Sequence, residues 1–267
     1  MAVTLDTILA GMQPPVVYLK VGIATAAVGA MRGYNLRYAN GNPGPATAPS
    51  AGINGTAVTG PGQIFRANPA SGNAYLAGFD MGPSTTGTLW VIDRLWENSA
   101  LVTTSITAQA ITAAALPARD RTGTTEGKDV MAAMEWSATG GAGVPTVTLT
   151  YTNQDGTAGR TATLTGVATP PVGTFELFSP TATNGGVRTP TSFIQSATRT
   201  SGTMHLVLFR RLAVLPCALA NIPAGIDALT GKFPRIFDSS SVEVVWFPSA
   251  TTATNFMGGY AETNVVP

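Results

Sequence analysis

Charge, histidine and cysteine are what this chain has least of. Only 11% of its 267 residues are Asp, Glu, Lys or Arg, against about a quarter in ordinary soluble domains, and it holds one histidine, His205, and one cysteine, Cys217. A single thiol forms no intrachain disulfide, so the fold needs no oxidising compartment, and Cys217 beside Pro216 reads as a small buried side chain. One imidazole and one thiol cannot supply the three or four soft ligands of a zinc-type site. The 15 basic and 14 acidic residues are scattered with no run of either sign, which leaves no phosphate-binding stripe and no expectation of direct nucleic-acid contact. No window of about 18 uncharged apolar residues is available for a membrane helix, because Lys20 splits Val16 to Ala30. That stretch also lacks the positive flank of a secretory leader: nothing basic precedes Lys20, Asp6 stands where the charge should be, and Pro14-Pro15 interrupts the approach. The chain is expected to stay inside the cell that makes it.

Catalytic equipment is equally sparse. A hydroxyl or thiol nucleophile commonly needs a base, and His205 lies inside the strand-like run Met204-His205-Leu206-Val207-Leu208-Phe209, where a structural imidazole is the expectation. No Gly-x-Ser-x-Gly elbow occurs, and the bases that could reach Cys217 in space are Arg210 and Arg211. Glu126, Asp129 and Glu135 form a local concentration of acids that reads as a solvated turn and strand edge rather than a glycosidase pair. Asn153-Gln154-Asp155-Gly156 opens like a calcium loop, but the later ligands and the bidentate Glu are missing. Leu229-Thr230-Gly231-Lys232-Phe233 has the Gly-Lys of a phosphate loop without its upstream glycine, and Asn54-Gly55-Thr56 is a glycosylation sequon that matters only in a secreted eukaryotic protein. No enzyme activity, metal or cofactor is expected.

What the chain has in plenty is threonine, 39 residues of it, with 30 Gly and 19 Pro. Short runs of Val, Thr, Phe, Tyr and Ile between Gly, Pro and Asn favour strands. Pro145 to Thr152 sets Val147, Leu149 and Tyr151 against Thr146, Thr148, Thr150 and Thr152, and Thr161, Thr163 and Thr165 alternate with Ala162 and Leu164. One face is apolar and the other a hydroxyl ladder. Asp155-Gly156 between them supplies the reversal of a β-hairpin. Further strands are expected at Val16 to Val21, Asp129 to Ser137, Gly173 to Phe178, Arg188 to Gln195, Thr203 to Leu212 and Ser241 to Phe247. Helical spacing predicts one short helix at Thr4 to Met12 and another at Thr85 to Asn98, where Leu89, Ile92, Leu95 and Trp96 share a face and Trp90 lies off it; a helical turn is expected at Ala224 to Leu229. Gly33 to Gly72 has few apolar anchors and reads either as an extended arm that orders on neighbouring subunits or as a surface excursion with unrecognised short strands. The tail from Ala250 reads as a second arm.

The fold class predicted is therefore all-β: an antiparallel sandwich of jelly-roll or Greek-key type with one or two short helices and long extended arms. Its parts are an N-terminal segment with a Gly/Pro-rich arm (1–85), a β-sandwich core (86–216) and a C-terminal connection, closing strand and tail (217–267).

From Leu89 to about Pro216 the chain resembles virion structural proteins of tailed bacteriophages, through Leu89-Trp90-Val91-Ile92-Asp93-Arg94-Leu95-Trp96, Ala115-Leu116-Pro117-Ala118-Arg119-Asp120 and Thr150-Tyr151-Thr152-Asn153-Gln154-Asp155-Gly156-Thr157-Ala158-Gly159-Arg160-Thr161. The resemblance implies a capsid cement or decoration protein, self-associated as a homotrimer, clamping the major capsid protein at the surface of a virion assembled in the bacterial cytoplasm. A different class is a receptor- or glycan-binding β module of a tail or fibre, for which Trp136, Trp246 and Tyr260 are the candidate contact aromatics.

Overall fold

The computed structural model describes residues 9–23, 32–180, 184–227, 230 and 234–266. The strands in chain order are β1 (Val16–Ile23), β2 (Arg32–Asn35), β3 (Asn40–Asn42), β4 (Thr56–Ala57), β5 (Asn73–Pro83) and β6 (Gly87–Glu97). Then come β7 (Gln109–Ala110), β8 (Val130–Ala138), β9 (Thr146–Asn153), β10 (Arg160–Thr165), β11 (Thr174–Leu177) and β12 (Ser179–Pro180). The last are β13 (Val187–Gln195), β14 (Thr203–Cys217), β15 (Ala224–Asp227), β16 (Arg235–Ile236), β17 (Ser241–Pro248) and β18 (Thr254–Val266). Their pairings are antiparallel, and the fold is all-β as the composition predicts.

Three layers result. The middle sheet runs β14-β8-β11-β2-β17-β6-β4, and a second pairing of β14 with β6 closes six of its strands into a barrel, leaving β4 as an extension of β6. A six-stranded sheet (β15-β5-β18-β1-β3, with β16 also on β5) covers one flank, and a five-stranded sheet (β12-β10-β9-β13-β7) covers the other. Leu89, Val91, Leu215, Val244 and Trp246 point from the barrel wall to meet Tyr18, Phe79, Met81 and Met257 of the six-stranded sheet. Met134, Trp136, Leu206 and Leu208 point the other way to meet Val147, Leu149, Tyr151 and Phe193. Ile92, Ala133, Phe175, Leu177, Val207, Phe209 and Val245 fill the barrel itself, whose bore is narrow enough at six strands for side chains to close it.

This layering explains the two kinds of strand in the sequence. β9 and β10 alternate buried with less buried positions because only one of their faces is covered. β6, β8, β14 and β17 are buried on both faces and read as long apolar runs. That is why the helix expected at Thr85 to Asn98 has to be corrected: the segment is β6, and a continuous apolar run matches a helical face by chance. Trp90 now has its reason, since it faces the open end of the barrel bore and stacks on Phe247 at a centroid distance of 4.5 Å.

The 153–159 hairpin forms as expected. Asn153 Oδ1 accepts from the backbone N–H of Asp155 (3.1 Å) and Thr157 (2.9 Å), and Gly156 takes the positive φ, 78°, that the reversal requires. Of the N-terminal helix, residues 1–8 lie outside the described residues, while Leu9 and Ala10 are helical. Ala224–Asp227 is strand β15 rather than a helical turn, because it pairs with Met81 to Gly78 at the edge of the six-stranded sheet; residues 228 and 229 lie outside the described set.

The two segments read as arms lie on the chain's own body. Tyr34, Leu36 and Ile64 are anchored in the core beneath the six-stranded sheet, and β2 is a barrel strand paired with β11 and β17. Gly55 packs so tightly on Trp96 that a Cβ there would come within 2.1 Å of its ring. The tail becomes β18, which pairs with β1 along one edge and with β5 along the other. Few anchors suffice because the layers already present supply the apolar surface they need.

Candidate functional site

Charge concentrates at one end of the barrel bore. Arg94 follows the apolar Ile92 along the inward face of β6 and is fully buried. Its guanidinium meets three carboxylates: Glu97 at 2.9 Å, Glu135 at 2.5 Å and Glu243 at 3.0 Å. Arg37, on the 3-10 turn Leu36–Tyr38, adds contacts to Glu97 (3.2 Å) and Glu243 (3.4 Å). Asn35 Nδ2 donates to both Glu135 and Glu243 at 2.8 Å, and the Tyr38 hydroxyl donates to Glu135 at 3.0 Å. Burial by itself would raise the Glu135 pKa; the Arg94 and Arg37 guanidiniums outweigh it and hold the carboxyl below its usual range. Tyr38 is pushed up by burial and by Glu135.

The outward neighbour Asp93 is a second hub. It accepts from the backbone N–H of Ser241 (3.0 Å), the hydroxyl of Ser240 (2.7 Å) and Arg210 (3.3 Å), with Arg119 at 3.6 Å. Arg119 also donates to the carbonyls of Val58 and Arg94, and its neighbour Asp120 ties down the following loop through Thr122, Thr124 and Lys128 N–H groups. Asp93, Arg94 and Arg119, charged residues in the first two motifs quoted for the resemblance, are therefore structural ties of the barrel, while Asp155 and Arg160 of the third are exposed at the hairpin.

Of the acids considered from sequence, Glu126 pairs with Lys128 and Asp129 with Arg121 at the surface, while Glu135 belongs to the buried hub. A cavity of about 220 Å³ does bring two acids together, Glu97 and Glu243, with Arg37 between them. Both are held by guanidinium contacts from Arg37 and Arg94, the arrangement of a structural tie.

His205 is fully buried in β14. Its Nδ1 donates to the Asn98 carbonyl at 3.1 Å, which leaves Nε2 to accept from the Ser137 hydroxyl at 2.5 Å. Burial lowers its pKa, against a smaller opposing effect of Glu135. The hydroxyl–imidazole contact has the geometry of a nucleophile and its base, but neither residue lines the clefts at Asp129, Arg37, Thr86 or Leu76. Arg210 is committed to Asp93, and Arg211 stacks on Trp90 at 4.9 Å, so neither serves Cys217. Burial raises the Cys217 pKa to about 11. A thiol reagent at pH 8 is expected to leave Cys217 unmodified in the native chain and to label it fully in denaturant; rapid native labelling would show that its packing is wrong.

Lys20 faces inward from β1 and is completely buried, with Nζ donating to the carbonyls of Ala39 (3.0 Å) and Pro43 (2.8 Å). Burial lowers its pKa from 10.5 to about 8, with Glu243 opposing. The unfolded chain therefore binds more protons between those values, and wild-type stability should climb relative to Lys20→Met as pH rises from about 8 towards 10.5. Denaturant midpoints of the two proteins across that range measure it, and parallel curves would refute it.

The calcium-like run Asn153 to Gly156 is the turn of the hairpin. Among the described residues no group of three or more His, Cys, Asp or Glu side chains is placed to hold a metal ion. Asn54 Oδ1 accepts from the Thr112 N–H at 2.9 Å, tying its loop to the body. Leu229 and 231–233 lie outside the described residues, and Asp227 Oδ1 accepts from the Thr230 N–H at 3.0 Å. Of the three proposed contact aromatics, Trp136 and Trp246 are fully buried and only Tyr260 is exposed. Among the described residues no helix is long and apolar enough to cross a membrane.

What the body offers outward is two sheet faces on opposite sides of the barrel. On the five-stranded sheet Thr146, Thr148 and Thr150 stand directly opposite Thr165, Thr163 and Thr161. On the six-stranded sheet Val17, Val21, Phe256 and Tyr260 are exposed. No family model matches the chain, and no curated protein matches it. Two solved structures align with most of it: one of the infectious bursal disease virus Gt strain, at 11% identity over 96% of this chain and 82% of that one with a TM-score of 0.17, and a mutant VP2 protein of the same virus in derived T=1 particles, at 10% identity over 96% and 79% with a TM-score of 0.16. Scores that low carry no argument. Function has to be read from the chain's own faces.

Proposed function

We propose that this chain is a structural component of a virus particle and, within that class, a capsid cement or decoration protein that clamps neighbouring subunits of the major capsid protein by non-covalent contacts. The observation that carries this reading is where the charge has gone. Among the described residues, ten of the 15 basic and 14 acidic side chains are buried in internal ties, so a chain already poor in charge has a surface poorer still. Such a surface suits prolonged contact with other protein better than life as a free monomer. A rigid three-layer body with two shallow faces fits a clamp whose contacts are its sheet faces, and the sequence resemblance points to the same class. A homotrimer on the capsid exterior, assembled in the host cytoplasm, is part of the proposal.

Purified particles test it. Mass spectrometry and gel densitometry should find the chain in fixed stoichiometry with the shell protein, and image reconstruction should place it on the outer surface. Its absence from particles ends the proposal, and its presence only in the tail removes the cement role.

A further inference from the structure

The outer face of the six-stranded sheet has no cover among the described residues, and its chemistry is one-sided. Register places Val17, Tyr260 and Asp80 in one row across β1, β18 and β5, with Val21 and Phe256 paired in another. Val17 is 61% exposed, Phe256 47%, Tyr260 40% and Val21 38%, which is far more apolar exposure than the outward positions of a solvated sheet need. The face is also shallow. A Cβ at Gly225 would meet the Asp80 carboxylate, one at Gly78 the Glu262 carboxylate, and one at Gly258 the Phe256 ring. The acids and the ring thus lie down over glycines instead of standing off the sheet, and the charge of Asp80 beside Tyr260 raises the phenol's pKa.

Among the described residues the charge on this face is mainly acidic. The outward positions of β1, β18, β5 and β15 carry the carboxylates of Asp80, Asp227 and Glu262 and no base. Lys20 points the other way, and the one described base on the face is Arg235 of the short strand β16, opposite Tyr75, whose guanidinium lies over the Phe237 ring at 4.5 Å. Two copies meeting through this face about a two-fold axis would bring carboxylates against carboxylates, an arrangement that costs several kcal/mol when desolvated. A head-to-tail contact would need a flat basic face on the same chain. The exposed bases are scattered instead: Arg160 and Arg188 flank the 153–159 hairpin beside a face of threonine hydroxyls, Arg121 is paired with Asp129, Arg211 lies over Trp90 and Arg235 over Phe237.

We infer that the outer face of the six-stranded sheet docks onto a different protein chain, through a flat surface that presents lysine or arginine among apolar side chains. The inference rests on the assembly reading above and adds which face makes the contact and what chemistry meets it. Apolar contact of Val17, Phe256 and Tyr260 supplies the buried area, and the three carboxylates set orientation and partner choice.

The test uses assembled particles and the isolated full chain side by side. Hydroxyl-radical footprinting should show Tyr260 and Phe256 oxidised in the free chain and strongly protected in particles. A zero-length carbodiimide crosslinker should join Asp80, Asp227 or Glu262 to lysines of another protein species. The double variant Phe256→Lys/Tyr260→Lys, altered only at exposed positions, should keep the wild-type denaturation midpoint and lose incorporation about tenfold or more, while Val144→Lys, exposed elsewhere, should incorporate normally. Particles that contain the chain with Tyr260 and Phe256 oxidised as in the free protein, or that accept the double variant undiminished, overturn the inference and leave the assembly reading standing. Crosslinks between two copies of this chain through the face overturn it in favour of self-association. Particles without the chain remove both.

Discussion

Arg94→Met is expected to cost about 3–5 kcal/mol of stability at neutral pH or to prevent folding altogether. The side chain is fully buried and touches Glu97, Glu135 and Glu243. Taking away the cation leaves Glu135 with neutral donors only, from Asn35 and Tyr38, and leaves Arg37 alone with Glu97 and Glu243. An uncompensated carboxylate in the barrel must either stay charged at high cost or take up a proton. In the wild type Glu135 is held below its ordinary pKa of 4.5, so its contribution is present above that value and is lost as pH falls through the lowered one. In the variant the sign reverses: the carboxyl's folded pKa lies above its unfolded one, and the penalty eases as pH falls. The gap between the two proteins should therefore be widest near neutrality and shrink towards pH 4.5, with Glu135→Gln added to Arg94→Met recovering part of the loss. Urea denaturation at the two pH values decides it. A loss below about 1 kcal/mol, the range of exposed ion pairs, together with no pH dependence, would mean that the hub does not tie the barrel.

How much of this was legible depended on whether a strand has one covered face or two. β9 and β10 could be read with their hairpin because outward threonines mark every second residue, and the limits expected for β8, β11, β13 and β17 fall within a residue or two of those observed. β6 could not, since burial on both sides erases the period that separates strand from helix. Barrel closure was invisible for another reason: it depends on β14 being long enough to pair with β8 along one edge and β6 along the other, and partner identity leaves no local mark. The charge hub did leave one. Asp93-Arg94 sits in the run Leu89 to Trp96, where neighbours on both sides are apolar, and charges in such a place must be paired internally. That signal tells of a buried network without naming its partners, because Glu135 and Glu243 lie 41 and 149 residues away. The Gly/Pro-rich segment was misleading because anchoring is cheap where a formed core waits: Tyr34, Leu36 and Ile64 are few, but each is at most 2% exposed.

Trp136→Ala should lower stability by about 3–5 kcal/mol, the range for emptying a large aromatic site in a packed core. The indole is fully buried between the barrel and the five-stranded sheet. A Cβ on Gly140 or Gly202 would strike its ring, at 2.8 and 2.7 Å, so backbone closes in on two sides and cannot easily collapse into the void. Arg199 lies over the ring at 4.8 Å and donates to the carbonyls of Gly143 and Val167, so the same residue ties two loops to the barrel wall. Loss of the indole also takes the 3.2 Å Nε1–H donor from Glu176. Burial already pushes that carboxyl above its usual range, with Trp136 and Arg32 opposing. Without the donor its folded pKa should rise further. A group raised in this way favours the fold below its unfolded pKa and loses that advantage as pH climbs through the folded value, so the variant's deficit should be larger at neutral than at mildly acidic pH. Tyr260→Ala, at an exposed position, should stay within about 0.5 kcal/mol of wild type. The pair separates a scaffold from a glycan-binding module: if sugar binding disappeared in Trp136→Ala with its midpoint unchanged, the ring would be a contact residue and the layered core described here would be wrong. A midpoint that falls as expected makes Trp136 a keystone between two sheets and leaves the outer faces as the surfaces open to contact.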